Sequence, residues 1–318
     1  MPKVSVIIPV YGVEPYIERC ARSLFEQTLD DIEYIFVDDC TPDRSIEILK
    51  EVLEDYPERK QQVIIERMPA NSGQAAVRKR GIKSVTGEYI IHCDSDDFVD
   101  KEMYARMYTK AKSKDYDIVV CDYYEVCDGH RMKKKGKISE MSDLVDDIFL
   151  LLLSSTCNKL IKRSIANQPG IVFPERNMGE DLAIMLQYAL ATSSVGYLPE
   201  PLYYYERRPL SISGNRSAEA LIDKNRQMVA NFNIALDAIA RHDATEKYQD
   251  AILHEKLWIK NQLLPAMTKF DCYKQWKGTY PEINSKVLSS RMFTWREKAN
   301  FVITYLGLYP TYCKFIRG

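Results

Sequence analysis

The chain has 318 residues, 46% of them hydrophobic and 28% charged, so it can build one large core or two smaller ones. A formal net charge of -1 excludes an overall cationic field for nucleic acid. The 8 cysteines include no CxxC pair, which argues against a disulfide or zinc framework and for the reduced thiols of a cytosolic protein.

Met1 to Val10 enters a strand directly, without the charged and then apolar pattern of a signal peptide. No run reaches the ~18 apolar residues of a membrane span. Val4 to Val10 is a continuous apolar run, the kind that suits a parallel sheet covered on both faces. A helix is predicted from Glu14, because Ile17, Cys20, Ala21, Leu24 and Phe25 fall on one stripe. Ile32 to Val37 is the second strand and ends in Asp38-Asp39. Thr41-Pro42-Asp43 is a turn and helix cap, and Ile46, Leu49, Val52 and Leu53 mark the next helix. Val63 to Ile65 is a third strand. Asn71-Ser72-Gly73 is a turn before a helix from Gln74 to Val85. Arg78 lies one turn into that helix, either exposed on its surface or close to a bound phosphate.

Gly87 opens the stretch that carries the most chemistry. Tyr89 to Cys93 reads as a buried strand that delivers Asp94, Asp96 and Asp97. Three carboxylates at a buried strand end repel one another and need compensation. The two readings are a solvated acidic turn and a site for Mg²⁺ or Mn²⁺, which take oxygen ligands. Four strand-helix alternations in about 100 residues predict an open α/β sheet, whose ligands bind beyond the carboxyl ends of the strands. Three of those ends are chemically loaded: Pro9-Val10-Tyr11, Asp38-Asp39 and Asp94-Ser95-Asp96. Together they sketch a nucleotide pocket. A Gly-x-Gly-x-x-Gly fingerprint and a Walker loop are both absent, which disfavours a dinucleotide dehydrogenase and a P-loop enzyme.

Further on, Glu102 to Lys112 predicts a helix and Ile118 to Val126 a strand. Asp128 to Lys137 predicts a solvated loop or hairpin tip, and Leu144 to Leu153 a helix. Gly179-Glu180-Asp181 starts another helix. Its two acids either complement the helix dipole or supply a general base. Gly196 to Tyr205 predicts a strand whose Tyr203-Tyr204-Tyr205 reads as core, followed by Arg207-Arg208 in a turn.

With both acidic stretches in view, residues 3 to about 213 resemble a family 2 glycosyltransferase. The pieces arrive in order: Val4–Tyr11 as the opening strand, Val37–Asp43, Asn71–Gly73 through Arg78, the Asp-x-Asp of Asp94-Ser95-Asp96, and Gly179-Glu180-Asp181. The resemblance implies the GT-A fold, a Rossmann-like mixed sheet flanked by helices, over 1–213, with a helical extension over 214–318. It implies that Pro9, Tyr11 and Asp39 line the nucleoside pocket, with Asp39 facing the base, and that Asp94 faces the ribose or sugar. Asp96 is then the ligand for Mn²⁺ or Mg²⁺, and Asp181 the base of an inverting transfer. Arg78 and Arg208 are then positioned near the diphosphate. The chain departs from the family pattern at Cys40, where glycine is usual, and at Lys79, where asparagine is usual.

The implied partners are a nucleotide sugar, UDP-linked by preference, and a glycan or lipid-linked acceptor of surface polysaccharide synthesis. The implied location is the cytoplasm or the inner face of its membrane. No Gln-x-x-Arg-Trp motif accompanies these features, so the resemblance is to single-addition enzymes. A sugar-nucleotide nucleotidyltransferase would need a Gly-rich basic loop where Pro9-Val10-Tyr11-Gly12 stands. A non-catalytic nucleotide-binding scaffold has no use for the intact acids. The helical C-terminal hundred residues end in a basic and aromatic mixture from Arg291 to Arg317. That end could lie on a membrane surface, pack on its own domain or meet a second copy in a homodimer.

Overall fold

A computed structural model describes residues 1–127, 129–135, 143–151, 154–207 and 217–311. The chain divides into two compact units, Met1–Arg208 and Pro209–Gly318.

The first unit is organised on one mixed sheet, with nine strands among the described residues. Its parallel half comprises β1 (Val4–Val10), β2 (Ile32–Asp38), β3 (Val63–Arg67) and β4 (Tyr89–His92), lying side by side in the order β3-β2-β1-β4. The alternation of buried side chains follows from the two-residue period of a strand. Val4, Val6, Ile8 and Val10 share a core with Tyr34, Phe36, Tyr89 and Ile91. The apolar stripe of α1 (Ile17–Phe25) joins that core, as do Leu49 and Val52 of α2 (Ser45–Glu54). The opposite face carries α3 (Gln74–Ser84), whose Gly81 lies so close to Ile7 that a Cβ would sit 2.4 Å from the isoleucine methyl. His92 pairs with Ile7 across the parallel ladder and so shares the face on which α3 lies.

The second half of the sheet runs both ways. It contains β5 (Phe98–Val99), β6 (Ile118–Cys127), β7 (His130–Lys134), β8 (Lys159–Lys162) and β9 (Val195–Glu206). β8 is antiparallel to β4 and to β6, whereas β9 is parallel to β6 and antiparallel to β5. The helices of this half are α4 (Met103–Ser113), α5 (Leu144–Leu151), α6 (Arg163–Ala166) and α7 (Glu180–Ala191).

Two sequence expectations need correction here. The basic segment expected as a loop or hairpin tip forms β7 over most of its described length. Cross-strand ion pairs explain this: Lys133 lies 3.3 Å from buried Asp122 and Lys134 lies 3.1 Å from buried Glu125. The short strand β5 was not expected. Phe98 and Val99 are held by pairing with Tyr204 and Tyr203, and the Phe98 and Tyr204 rings stack at 4.5 Å.

The second unit is helical: α8 (Ala218–Arg241), α9 (Gln249–Asn261), α10 (Phe270–Gly278), α11 (Asn284–Ser289) and α12 (Trp295–Tyr305). Its core holds the fully buried Trp276, Phe232 and Val287. Among the described residues no helix is long and apolar enough to cross a membrane.

Candidate active site

Because β2, β1 and β4 are parallel neighbours, their carboxyl ends meet at one edge of the sheet. The Ser95 hydroxyl donates to the Pro9 carbonyl at 2.5 Å, and the Asp39 N–H donates to the Val10 carbonyl at 3.0 Å. These bonds join the three loaded strand ends into one surface. Tyr11 stands exposed at its rim. Asp39 is buried, and its two carboxylate oxygens accept the backbone N–H groups of Ser72 (2.7 Å) and Gly73 (2.8 Å). Each oxygen keeps a second lone pair, so Asp39 both fixes the turn before α3 and remains able to accept from a ligand.

Cys40 adopts φ 55°, the left-handed backbone that glycine at this position would take freely, and its thiol donates to the Met68 carbonyl at 2.9 Å. The departure from glycine therefore keeps the shape of the turn at some conformational cost.

Asp39→Ala would leave the N–H groups of Ser72 and Gly73 without their carboxylate. We expect a loss of about 1–3 kcal/mol of stability in thermal unfolding, together with weaker nucleotide binding in titration calorimetry.

The centre of the site is Arg78. Sequence reasoning left it on an exposed helix face or against a phosphate; here it is buried, with only 4% of its surface accessible. Its Nη1 bonds both Glu180 and Asp181, and its Nη2 lies 2.8 Å from Asp94 Oδ1. One guanidinium thus joins Asp94, the acid after β4, to the two acids that open α7. Burial works against its charge, but Asp181, Glu180 and Asp94 outweigh that and hold it cationic. Arginine suits this post because its planar fork serves several carboxylates at once and does not deprotonate.

The two acids of α7 differ in access. Glu180 is only 7% exposed at its side chain, whereas Asp181 is 33% exposed. Burial raises both pKa values and Arg78 pulls both back. Neighbouring carboxylates push the same way as burial: Asp181 and Asp94 on Glu180, and Asp94 on Asp181. Asp181 therefore combines solvent access with a strengthened basicity, and Glu180 serves to anchor Arg78. α7 begins at Gly179, whose φ of 78° turns the chain so that both acids occupy the first helical turn.

The acidic triplet separates by direction. Asp97 points inward and is buried. It accepts from the Tyr203 hydroxyl and from the Glu206 N–H at 2.8 Å. Burial and the nearby Asp96 and Asp94 push its pKa well up, so it acts as a structural tie to β9. Asp94 takes Arg78 and the Gln74 amide (3.3 Å) on Oδ1 and the Cys157 thiol (3.5 Å) on Oδ2. Asp96 lies partly exposed at the tip, and Arg19 donates to its backbone carbonyl at 3.2 Å.

Several participants escaped the sequence reading. The Thr156 hydroxyl donates to Asp181 Oδ1 at 3.2 Å. Lys159 is fully buried nearby, with its ammonium on the Ser155 carbonyl and Asn158 Oδ1, and burial lowers its pKa to about 8. Tyr205, expected in the core, is 43% exposed; the burial of the rest of its ring and then Asp97, Asp96 and Asp94 raise its phenol pKa. The available signal was strand alternation. Tyr203 and Tyr205 share the face of the acids, while Tyr204 lies on the other face with Phe98 and Tyr124. Arg207 pairs with Glu125; Arg208 lies outside the described residues.

The donor set bears on the metal. Among the described residues no group of three His, Cys, Asp or Glu side chains could hold an ion by itself. Asp94 is engaged with Arg78, Gln74 and Cys157, and Asp97 with β9, so a cage of three acids does not form. One partly exposed carboxylate, Asp96, fits a Mg²⁺ or Mn²⁺ ion that arrives with a diphosphate and keeps water ligands.

Comparison with known proteins agrees with this fold. The chain is 32% identical over 225 residues to the uncharacterized glycosyltransferase EpsJ of Bacillus subtilis, covering 67% of this chain and 63% of EpsJ. It is 32% identical over 209 residues to a poly(ribitol-phosphate) beta-glucosyltransferase of Bacillus spizizenii, covering 64% of this chain but only 32% of that protein. The crystal structure of S. aureus TarS 1-349 in complex with UDP-GlcNAc superposes with a TM-score of 0.63 at 18% identity, covering 98% of this chain and 89% of TarS 1-349. The fold is that of GT-A glycosyltransferases, a mixed sheet flanked by helices with a helical C-terminal region. Residues 5–170 match the family model described as glycosyl transferase family 2; with more than half its length inside that match, the chain belongs to this family.

Proposed function

We propose that the chain transfers one sugar, with inversion, from a UDP-linked donor to a glycan or lipid-linked acceptor of surface polysaccharide synthesis, on the cytoplasmic side of the membrane. The observation that carries this reading is the single guanidinium of Arg78. It joins Asp94, at the end of β4 where a donor would lie, to Asp181, the accessible acid at the start of α7. A donor-side acid and a candidate base are thereby held in one rigid cluster. Similarity to a poly(ribitol-phosphate) beta-glucosyltransferase and to TarS bound to UDP-GlcNAc supports the UDP-linked donor and the surface-polymer acceptor.

In this reading Pro9, Tyr11 and Asp39 receive the nucleoside, and Asp94 orients the ribose or sugar. Asp181, steadied by the Thr156 hydroxyl and by Arg78, takes the proton of the acceptor hydroxyl as that oxygen attacks the anomeric carbon. Attack opposite to the leaving diphosphate inverts the anomeric configuration. A divalent cation held by Asp96, when bound, supplies Lewis-acid stabilisation to the departing diphosphate. Asp97 and Tyr203 keep the Asp-x-Asp turn in register with β9. Arg208 is assigned to the diphosphate by position in sequence alone.

Asp96→Asn should weaken donor binding only when Mn²⁺ or Mg²⁺ is present, which titration of UDP with and without metal would read. The reading as a whole is tested by thermal shift with a panel of nucleoside diphosphates and nucleotide sugars, each with and without Mn²⁺. A ligand at 100 times its dissociation constant stabilises by about 2.7 kcal/mol, well within reach of that measurement. Metal-dependent stabilisation by UDP and one UDP-sugar is expected. Stabilisation by another base alone would overturn the donor assignment, and no shift with any nucleotide would overturn the reading.

A further inference from the structure

Helix α12 of the second unit shows an apolar side outward. Trp295, Ala299 and Val302 of α12 and Leu306, which caps its C-terminus with helical backbone angles, recur at spacings of four, three and four, which places them on one stripe. Trp295 is 74% exposed and Leu306 62%, and Val302 is exposed as well. The buried residues of this helix, Phe301 and Thr304, lie on the other side. The outward stripe is thus a second apolar face, separate from the one that packs into the unit.

The surroundings of this stripe are cationic. By helical position Arg296 and Lys298 flank it on either side. Glu297, the acid of α12, falls on the opposite side, and its carboxylate accepts the Thr294 N–H and hydroxyl in a capping box. α10 extends the surface: the Tyr273 hydroxyl donates to the Tyr305 carbonyl at 2.7 Å, and Lys277 lies 4.8 Å above the Tyr305 ring. Phe270, one turn before Tyr273, is 76% exposed. Large exposed aromatic and aliphatic side chains between lysines and arginines form a surface that water solvates poorly and anions complement.

We propose that α12, with the adjoining edge of α10, docks this protein on an anionic lipid surface. A second copy would fit the same face less well. A two-fold contact sets each patch against its own equivalent and so brings Arg296 and Lys298 near their counterparts. Lipid headgroups satisfy both halves of the surface at once: the cations meet phosphate, and Trp295 with Leu306 enters the boundary beneath. No described helix can span a bilayer, so the helix lies in the interfacial plane.

The test is vesicle flotation of the full chain without nucleotide, so its outcome is independent of the donor reading. Vesicles of phosphatidylcholine alone are compared with vesicles containing phosphatidylglycerol, each at low and high salt. The wild type should float with the anionic vesicles and fall away in high salt. Trp295→Ala with Leu306→Ala, and separately Arg296→Gln with Lys298→Gln, should each reduce the bound fraction about tenfold or more. Trp295, Arg296 and Leu306 are exposed and Lys298 is only partly covered, so the melting temperature should hardly move. Failure of the wild type to float on anionic vesicles, or flotation of either variant equal to that of the wild type, would overturn the proposal. So would a wild-type dimer in light scattering that Trp295→Ala with Leu306→Ala dissociates.

Discussion

Replacing Arg78 by leucine is expected to destabilise the first unit by about 3–5 kcal/mol, because it removes the guanidinium that pairs with Asp94, Glu180 and Asp181 and leaves these buried or half-buried acids without it. At about 2–4 °C per kcal/mol for a unit of this size, the melting temperature should fall by about 6–20 °C in calorimetry. The loss should depend on pH with a definite sign. Glu180 and Asp181 already have raised pKa values in the folded protein, from burial first and with Arg78 opposing it. Without Arg78 those values rise further, and the folded state then holds protons that the unfolded chain releases. Stability therefore falls as pH climbs from the ordinary carboxylate range through the raised folded values. The variant should melt closest to wild type near pH 5 and furthest below it near pH 8. Arg78→Lys keeps one charge but cannot fork between three acids, so it should fall between the two. An unchanged melting temperature at pH 8 would mean that the cluster does not depend on this residue.

Asp181→Asn is expected to lower the turnover number by about 10²–10⁴-fold while leaving donor affinity nearly unchanged, because it removes a base and keeps the shape. The amide can still accept from Thr156, so the loop around residues 155–159 should hold. Wild-type turnover should lose activity on the acid side as Asp181 is protonated, at a pH above the ordinary aspartate range, because burial raises this group. That acid limb should be absent from the residual activity of the variant. Steady-state kinetics across pH, with donor binding measured separately by calorimetry, checks both parts. Near-normal turnover would remove Asp181 from its role and turn attention to Glu180.

The parallel half of the sheet was legible because its signals are local. Val4 to Val10 is an unbroken apolar run, and the stripe of α1 repeats at helical spacing within nine residues. The acids were legible as types at strand and helix ends. Their pairing was not, since Arg78 is 16 residues from Asp94 and 102 from Glu180. Nothing in a helix window distinguishes an arginine that reaches across the sheet edge from one that points to water. Pairing of this kind is a property of topology: α3, the end of β4 and the start of α7 are separate in sequence, and β8 lies between β4 and β6 in the sheet. The basic strand β7 failed for the same reason, because its lysines find their acids on the preceding strand rather than on their own segment. Tyr205 was hidden by its neighbours, two tyrosines of which one is core and one packs on the far face.

Gly73 has a bearing on how this site can change over time. Its φ is 83°, and a Cβ there would fall 2.5 Å from Asn177 Nδ2, while Asn177 Oδ1 accepts the Ala75 N–H at 3.1 Å. The loop before α7 therefore closes the open end of α3 from a distance of about a hundred residues in sequence. Positions 73 and 177 are held to one another twice, by space and by hydrogen bonding. Drift at either should be tolerated only with a matching change at the other, so the two segments should be inherited as a unit even where acceptors diverge. Exchanging the segment that leads into α7 between relatives should accordingly succeed only when the turn at residues 71–73 travels with it.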